Sequence, residues 1–176
     1  MRFPFRFLLS LAPGVVLLGM ALPAGGEPLL AATAFGMTEP QLLSTLPELQ
    51  RLHRPVPGPG GSRGLWALPG TTVAQHPFDT VFYFRNHQLQ RIEQTWVSSV
   101  QPCNARAVFE DVTREVQARY GASVVRGSDT LSAETGDTAL WVADDTDLLA
   151  IVQDTATRCA VRLVNKPRTL KDDSEL

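Results

Sequence analysis

Gly60-Gly61-Ser62-Arg63-Gly64 matches the nucleophile-elbow pattern G-x-S-x-G, in which a strand-turn-helix bend exposes a serine beside an oxyanion hole. Here a proline-rich stretch precedes the serine and strand-forming residues follow it. The setting that would make Ser62 a nucleophile is inverted, and a flexible loop is expected. Asp144, Asp145, Asp147 and Asp154 offer the hard oxygens that calcium prefers, yet Leu149 stands where an EF-hand register needs its third ligand. A solvated acidic turn is the expected reading. His53, His76 and His87 are isolated, with no H-E-x-x-H pair to set two imidazoles on one helical face. Asp79 and Glu93 are placed to meet across a hairpin as a carboxylate pair of the kind glycosidases use. No phosphate-cradling glycine loop opens a helix. No catalytic residue, metal set or cofactor is therefore assigned, and a small periplasmic hydrolase using Ser62 or Asp79 and Glu93 is kept only as an alternative.

The elements that would position these residues can be read from spacing. Thr38-Glu39-Pro40-Gln41 reads as a capping box opening a short helix to about Leu46, which Pro47 ends. Pro55 to Gly64 reads as a solvated loop, Leu65 to Leu68 as a strand, and Pro69-Gly70 as a turn. Phe78 to Phe84 is the clearest strand, with Phe78, Thr80, Phe82 and Phe84 on one face and Asp79, Val81 and Tyr83 on the other. Arg85-Asn86-His87 connects it to a strand from Leu89 to about Ser98 whose alternation is broken enough for a bulge. Ala105, Val108, Phe109, Val112, Val116 and Tyr120 recur at helical spacing, predicting a helix from about Asn104 to Tyr120 that Gly121 terminates. A short extended piece near Ser123 to Val125 and strands at 139–143, 148–153 and 158–164 follow, joined by connections too short for parallel crossovers. The order helix, strands, helix, strands is compatible with an old duplication. The predicted class is α+β, an antiparallel sheet of hairpins packed on one face by the long helix, with a short N-terminal helix.

If that helix covers Phe78, Phe82 and Phe84, the opposite face is left open. Val81, Tyr83 and Arg85 project from it, and in one register Arg91, Glu93 and Thr95 join them. Tyrosine and arginine are enriched in protein-binding patches, so Tyr83, Arg85, Arg91 and Glu93 are the candidate binding residues. On this reading Tyr83→Ala and Arg91→Glu weaken partner capture and leave unfolding nearly unchanged. A carrier of a small apolar ligand, with a pocket among Trp66, Trp96 and Trp141, is a further alternative.

The address comes from the N-terminus. Arg2 and Arg6 precede an apolar run from Phe7 to Leu22, and Ala24-Gly25-Gly26 supplies small residues for cleavage. The run is shorter than the roughly twenty residues a spanning helix needs. A signal peptide over 1–26 is expected, then one domain over 27–166 and a disordered tail over 167–176, in a periplasmic or secreted protein without a stable membrane anchor. Of 16 basic and 18 acidic residues, cleavage removes Arg2 and Arg6 and leaves 14 against 18, a net charge of −4. Such a chain has no overall pull towards nucleic acid, and the expected partner is another envelope or secreted protein. Cys103 and Cys159, the chain's two cysteines, are expected to form one bridge in an oxidising compartment.

Gly36-Met37-Thr38 followed by Gln41, then Leu65-Trp66, Val81-Phe82-Tyr83-Phe84 and Leu89-Gln90-Arg91-Ile92, resembles the SmpA/OmlA-type small envelope proteins over about residues 36–96. Their pattern is a Gly-Met-Thr helix start, a tryptophan-bearing strand and an apolar hairpin. The related β-lactamase-inhibitor-protein fold doubles such a unit. The lipid-bearing cysteine of the SmpA/OmlA proteins has no counterpart here. What the resemblance implies is a non-catalytic periplasmic binding module with a helix-backed antiparallel sheet.

Overall fold

The computed structural model describes residues 32–100, 102–128, 137–155 and 158–168. The expected signal peptide and nearly all of the expected tail lie outside them. Two α-helices and eight strands follow one another as α1 (Glu39–Thr45), β1 (Gln50–Pro57), β2 (Arg63–Val73), β3 (His76–Arg85), β4 (Gln88–Val97), α2 (Ala105–Tyr120), β5 (Val125–Ser128), β6 (Asp137–Ala143), β7 (Thr146–Asp154) and β8 (Cys159–Pro167). The strands form one antiparallel sheet in the order β1-β2-β3-β4-β8-β7-β6-β5. Each half is therefore a helix followed by a four-strand meander, and the two meanders join through their last strands. The β2–β3 and β6–β7 connections correspond, with Val73 opposite His76 and Ala143 opposite Thr146 across two-residue turns.

Local chemistry explains most of these boundaries. The Thr38 amide donates to Gln41 Oε1 at 2.9 Å, closing the capping box that starts α1. Asn86 and His87, at φ 51° and 63°, make the β3–β4 turn with the left-handed pair of residues that matches strand twist. The expected turn at Pro69-Gly70 is instead a bulge inside a continuous β2. Leu68 faces Thr80 and Thr71 faces Phe78, so Pro69 and Gly70 together oppose Asp79, whose Oδ1 accepts the Gly70 amide at 3.3 Å. A bulge tolerates the missing proline donor, and Gly70 supplies the φ of 70°. The expected loop over Pro55 to Gly64 is likewise shorter, because β1 runs to Pro57 and a 3₁₀ turn at Pro59–Gly61 leads into β2. Pro55 and Pro57 are compatible with β1 because it is an edge strand, paired on one side only.

Phe78, Thr80, Phe82 and Phe84 are all buried, as their alternation predicts. Their cover is divided. Phe78 shares one apolar cluster with Ala105, Val108, Phe109, Val112 and Val116 of α2 and with Trp141, Leu148, Val152 and Val161 of the second meander. Phe82 and Phe84 belong to a second cluster with Leu42 of α1, Leu49, Leu89 and Ile92. One helix over the whole phenylalanine ribbon was the expectation, and seven residues of α1 with its flanking loop take the other end. Polar residues mark the border. Thr80 and Gln94, fully buried, face each other on β3 and β4, and Asn165 on β8 lies beside them, opposite Ile92.

Cys103 and Cys159 form a disulfide with a Cα–Cα distance of 5.6 Å. It ties the residue before α2 to the first residue of β8, and Cys159 is part of the first cluster. The fold is thus a disulfide-bonded α+β protein, and the bridge fits an oxidising compartment. No helix among the described residues is long and apolar enough to cross a membrane.

Candidate functional site

The face of the sheet opposite the two apolar clusters holds every residue chosen from the sequence. Tyr83 pairs with Arg91, Val81 with Glu93 and Asp79 with Thr95, so the register assumed for that face is the one found. Across the junction of the two meanders, Val164 stands opposite Glu93 and Arg162 opposite Thr95, and Leu149 and Ile151 continue the row on β7.

Arg91 Nε donates to Glu93 Oε1 at 2.6 Å, and the Tyr83 hydroxyl stands 3.5 Å from Glu93 Oε2. Arg91 and Glu93 are two apart on one strand, so alternation alone puts them on one face. Arg85 Nη1 donates to the Gly60 carbonyl at 3.3 Å, drawing the β1–β2 connection towards the same end of the sheet. That connection packs on Tyr83: a Cβ on Gly58 would come within 2.6 Å of the tyrosine ring, and one on Gly64 would meet Val81 at 2.7 Å. The two glycines are there because the ring leaves no room for a side chain.

Tyr83 and Arg91 are each only 5% exposed. The expectation that both project freely, and that replacing them would spare stability, is corrected on this point: the β1–β2 connection closes over the phenol, and Glu93 holds the guanidinium down. Arg85, Val81, Thr95, Arg162, Leu149 and Ile151 keep partial exposure on the same face.

Burial first, and then the Glu93 charge, push the Tyr83 phenol up to about 12, against the opposing pull of Arg91 and Arg162. An unfolded tyrosine ionises near pH 10. Between about 10 and 12 the unfolded chain sheds this proton while the folded chain retains it, so stability falls as pH rises through that window and is unaffected below it. The tyrosinate absorbance titration should show a step near 12 that disappears in Tyr83→Phe. A step that survives the substitution would assign it elsewhere.

The other chemical candidates are dispersed. Ser62 is buried and its Oγ donates to the Pro59 carbonyl at 2.8 Å, a turn-closing bond that points the hydroxyl away from a base. Asp79 and Glu93 share a face without facing each other, being diagonal in the register, because the bulge and turn put Thr95 opposite Asp79. His76 alone of the three histidines has a carboxylate, with Nε2 at 3.1 Å from Asp111 Oδ2. Asp111 also accepts from Arg114 Nη1 at 2.9 Å, and its carboxyl is held below the usual range by the hydrogen bonds from His76 and Arg114. A cleft of about 570 Å³ lies here, lined by these three residues with Gln75 and Glu115 and by no serine, threonine or cysteine. Among the described residues no group of three or more histidine, cysteine or carboxylate side chains is arranged to hold a metal ion. The three tryptophans do not share a pocket: Trp66 packs on the second cluster and donates to Glu39 Oε2 at 2.9 Å, whereas Trp96 and Trp141 belong with the first.

Arg162 and Ile151 reach this face only because β8 pairs with β4, a contact between segments some seventy residues apart that no local pattern announces. Alternation within 158–164 was the available signal, and it gave Arg162 a face without saying beside which strand.

Neither a family model nor a curated protein matches the sequence. A solved structure titled as a DUF4309 family protein (YjgB) from Bacillus subtilis aligns with 78% of this chain and 83% of its own, at 17% identity and a TM-score of 0.41.

Proposed function

We propose that the chain is an exported binding module in which α2 roofs the β6–β7–β8 half of the sheet and α1 the β2–β3–β4 half, leaving the opposite face to dock another envelope or secreted protein. The observation that supports it best is the Tyr83, Arg91 and Glu93 cluster. It is a charged group fixed on a face that contributes to neither apolar cluster, flanked by the partly exposed Val81, Leu149, Ile151 and Arg162. Apolar side chains around an immobilised arginine are the composition of a protein contact, since a prepaired guanidinium loses little further entropy on binding. Tyr83, Arg91 and Glu93 act in this reading as a rigid base, while Arg85 and Arg162 make the outer contacts. The twice-repeated helix and four-strand meander is also the doubling implied by the resemblance to the β-lactamase-inhibitor-protein fold, and the disulfide agrees with export.

The test is charge insertion on the partly exposed positions. A partner first identified by crosslinking in intact cells should lose affinity for Ile151→Glu and Arg162→Glu, while both variants unfold within about 0.5 kcal/mol of the parent, as surface substitutions do. Arg114→Glu, on the exposed side of α2, should bind as the parent does. Equal binding by all three would remove this face from consideration.

A further inference from the structure

Arg63 and Arg85 meet at one end of the sheet with no ion-pair partner among the described residues, unlike Arg91, Arg106 and Arg114. They line a common cleft of about 340 Å³ between the β1–β2 connection and the β3–β4 turn. Arg63 is exposed at the start of β2, opposite Phe84, and Arg85 gives one of its donors to the Gly60 carbonyl. A guanidinium has five donors in a planar fork, so most of the donors on both side chains remain for a ligand. Leu65 and the buried Phe84 form the apolar part of the cleft, and His87 stands at its rim in the turn. Glu39 lines it too, with its carboxylate Oε2 already accepting the Trp66 indole N–H.

We infer that this end cleft is a carboxylate site, in which Arg63 and Arg85 grip an acidic side chain of a peptide segment presented by the protein partner. Two unpaired guanidinium forks beside an apolar wall match a carboxylate on a short aliphatic stem, the geometry in which arginine binds bidentately and most strongly. A peptide is favoured over an acidic polysaccharide by what surrounds the arginines. The only aromatic ring at this cleft, Phe84, is buried and offers no face for a sugar to stack on. A second cleft of about 450 Å³ continues from Gly61 and Arg63 past Pro55 and Pro57 on the free edge strand β1. That path has the width and apolar character of a seat for extended chain, and recognition of acidic motifs by arginine clusters is a recurring peptide-binding mode.

The inference deepens the docking reading, since Arg85 belongs to both, and rests on it for the peptide's being part of a protein. The experiment titrates the full exported chain with an end-blocked hexaglutamate peptide by calorimetry, beside hexalysine and a galacturonate oligomer. Hexaglutamate should bind saturably and hexalysine not at all. Arg63→Gln with Arg85→Gln should weaken hexaglutamate at least about tenfold, the loss of charged hydrogen bonds. Thermal unfolding should be unchanged, since neither arginine has an ion pair to lose. Arg162→Glu should leave hexaglutamate affinity within about twofold, so failure of the open-face reading and failure of this site are separately visible. Undiminished hexaglutamate binding in the double variant, absence of saturable binding, or a galacturonate oligomer bound through these arginines in place of the peptide would each overturn the inference.

Discussion

Arg91→Ala lowers the stability of the chain by about 3 kcal/mol, the cost of leaving a largely buried carboxylate without its partner. The Arg91 and Glu93 side chains are only 7% and 13% exposed, and the 2.6 Å contact between Nε and Oε1 joins them directly. Removing the guanidinium leaves Glu93 beside the Tyr83 phenol, which is held neutral and cannot replace the lost charge. Arg162 acts on Tyr83 from the neighbouring strand and softens the loss without replacing the bond. Glu93→Gln added to Arg91→Ala should recover part of the stability, because a neutral amide costs less to bury than an unpaired carboxylate. Urea unfolding of the two singles and the double gives the coupling, expected to exceed about 1 kcal/mol for groups in direct contact. A single-variant loss under about 1 kcal/mol would mean that the pair behaves as a solvated one. The same substitution bears on function only through the scaffold, which is why the binding tests use Ile151 and Arg162 instead.

Cys103→Ser with Cys159→Ser is expected to cost about 4 kcal/mol, because the bridge closes a sequence separation of 56 residues and removes that loop's freedom from the unfolded chain. For a domain of this size the melting temperature should fall by roughly 12 °C. Thermal unfolding with and without reductant measures the same quantity on the unmodified chain, and the two losses should agree. The bridge also has a local task. The segment between β4 and α2 enters the helix at Cys103, and β8 begins at Cys159, so the bond sets where α2 lies along the strand it packs near. A loss below about 1 kcal/mol would show that the unfolded chain keeps these two segments together without the bond.

The period-two pattern over 78–84 and the 3.6-residue pattern over 105–120 survive into the structure with their burial as expected, because both report a single apolar face and need no knowledge of what covers it. The capping box at Thr38, the turn at Asn86-His87 and the pairing of the cysteines were equally legible, each resting on chemistry within a few residues or on there being two thiols and no others. β1 was not. Gln50 to Pro57 is polar and contains two prolines, and it is a strand only because β2 offers one edge and nothing asks for the other. The Pro69-Gly70 bulge was read as a turn for a related reason, since a proline-glycine pair bends a chain in either setting and the strand opposite decides which.

At the candidate site, the face shared by Val81, Tyr83, Arg91 and Glu93 followed from strand alternation plus one register, and both came from the sequence alone. Their burial did not. Tyr83 is covered because Gly58 and Gly64 bring the β1–β2 connection onto its ring, and Arg162 joins the face because β8 pairs with β4. Side-chain direction is a local property of φ and ψ, so sequence determines it. Exposure depends on which distant backbone arrives to exclude water, and only the assembled sheet decides that.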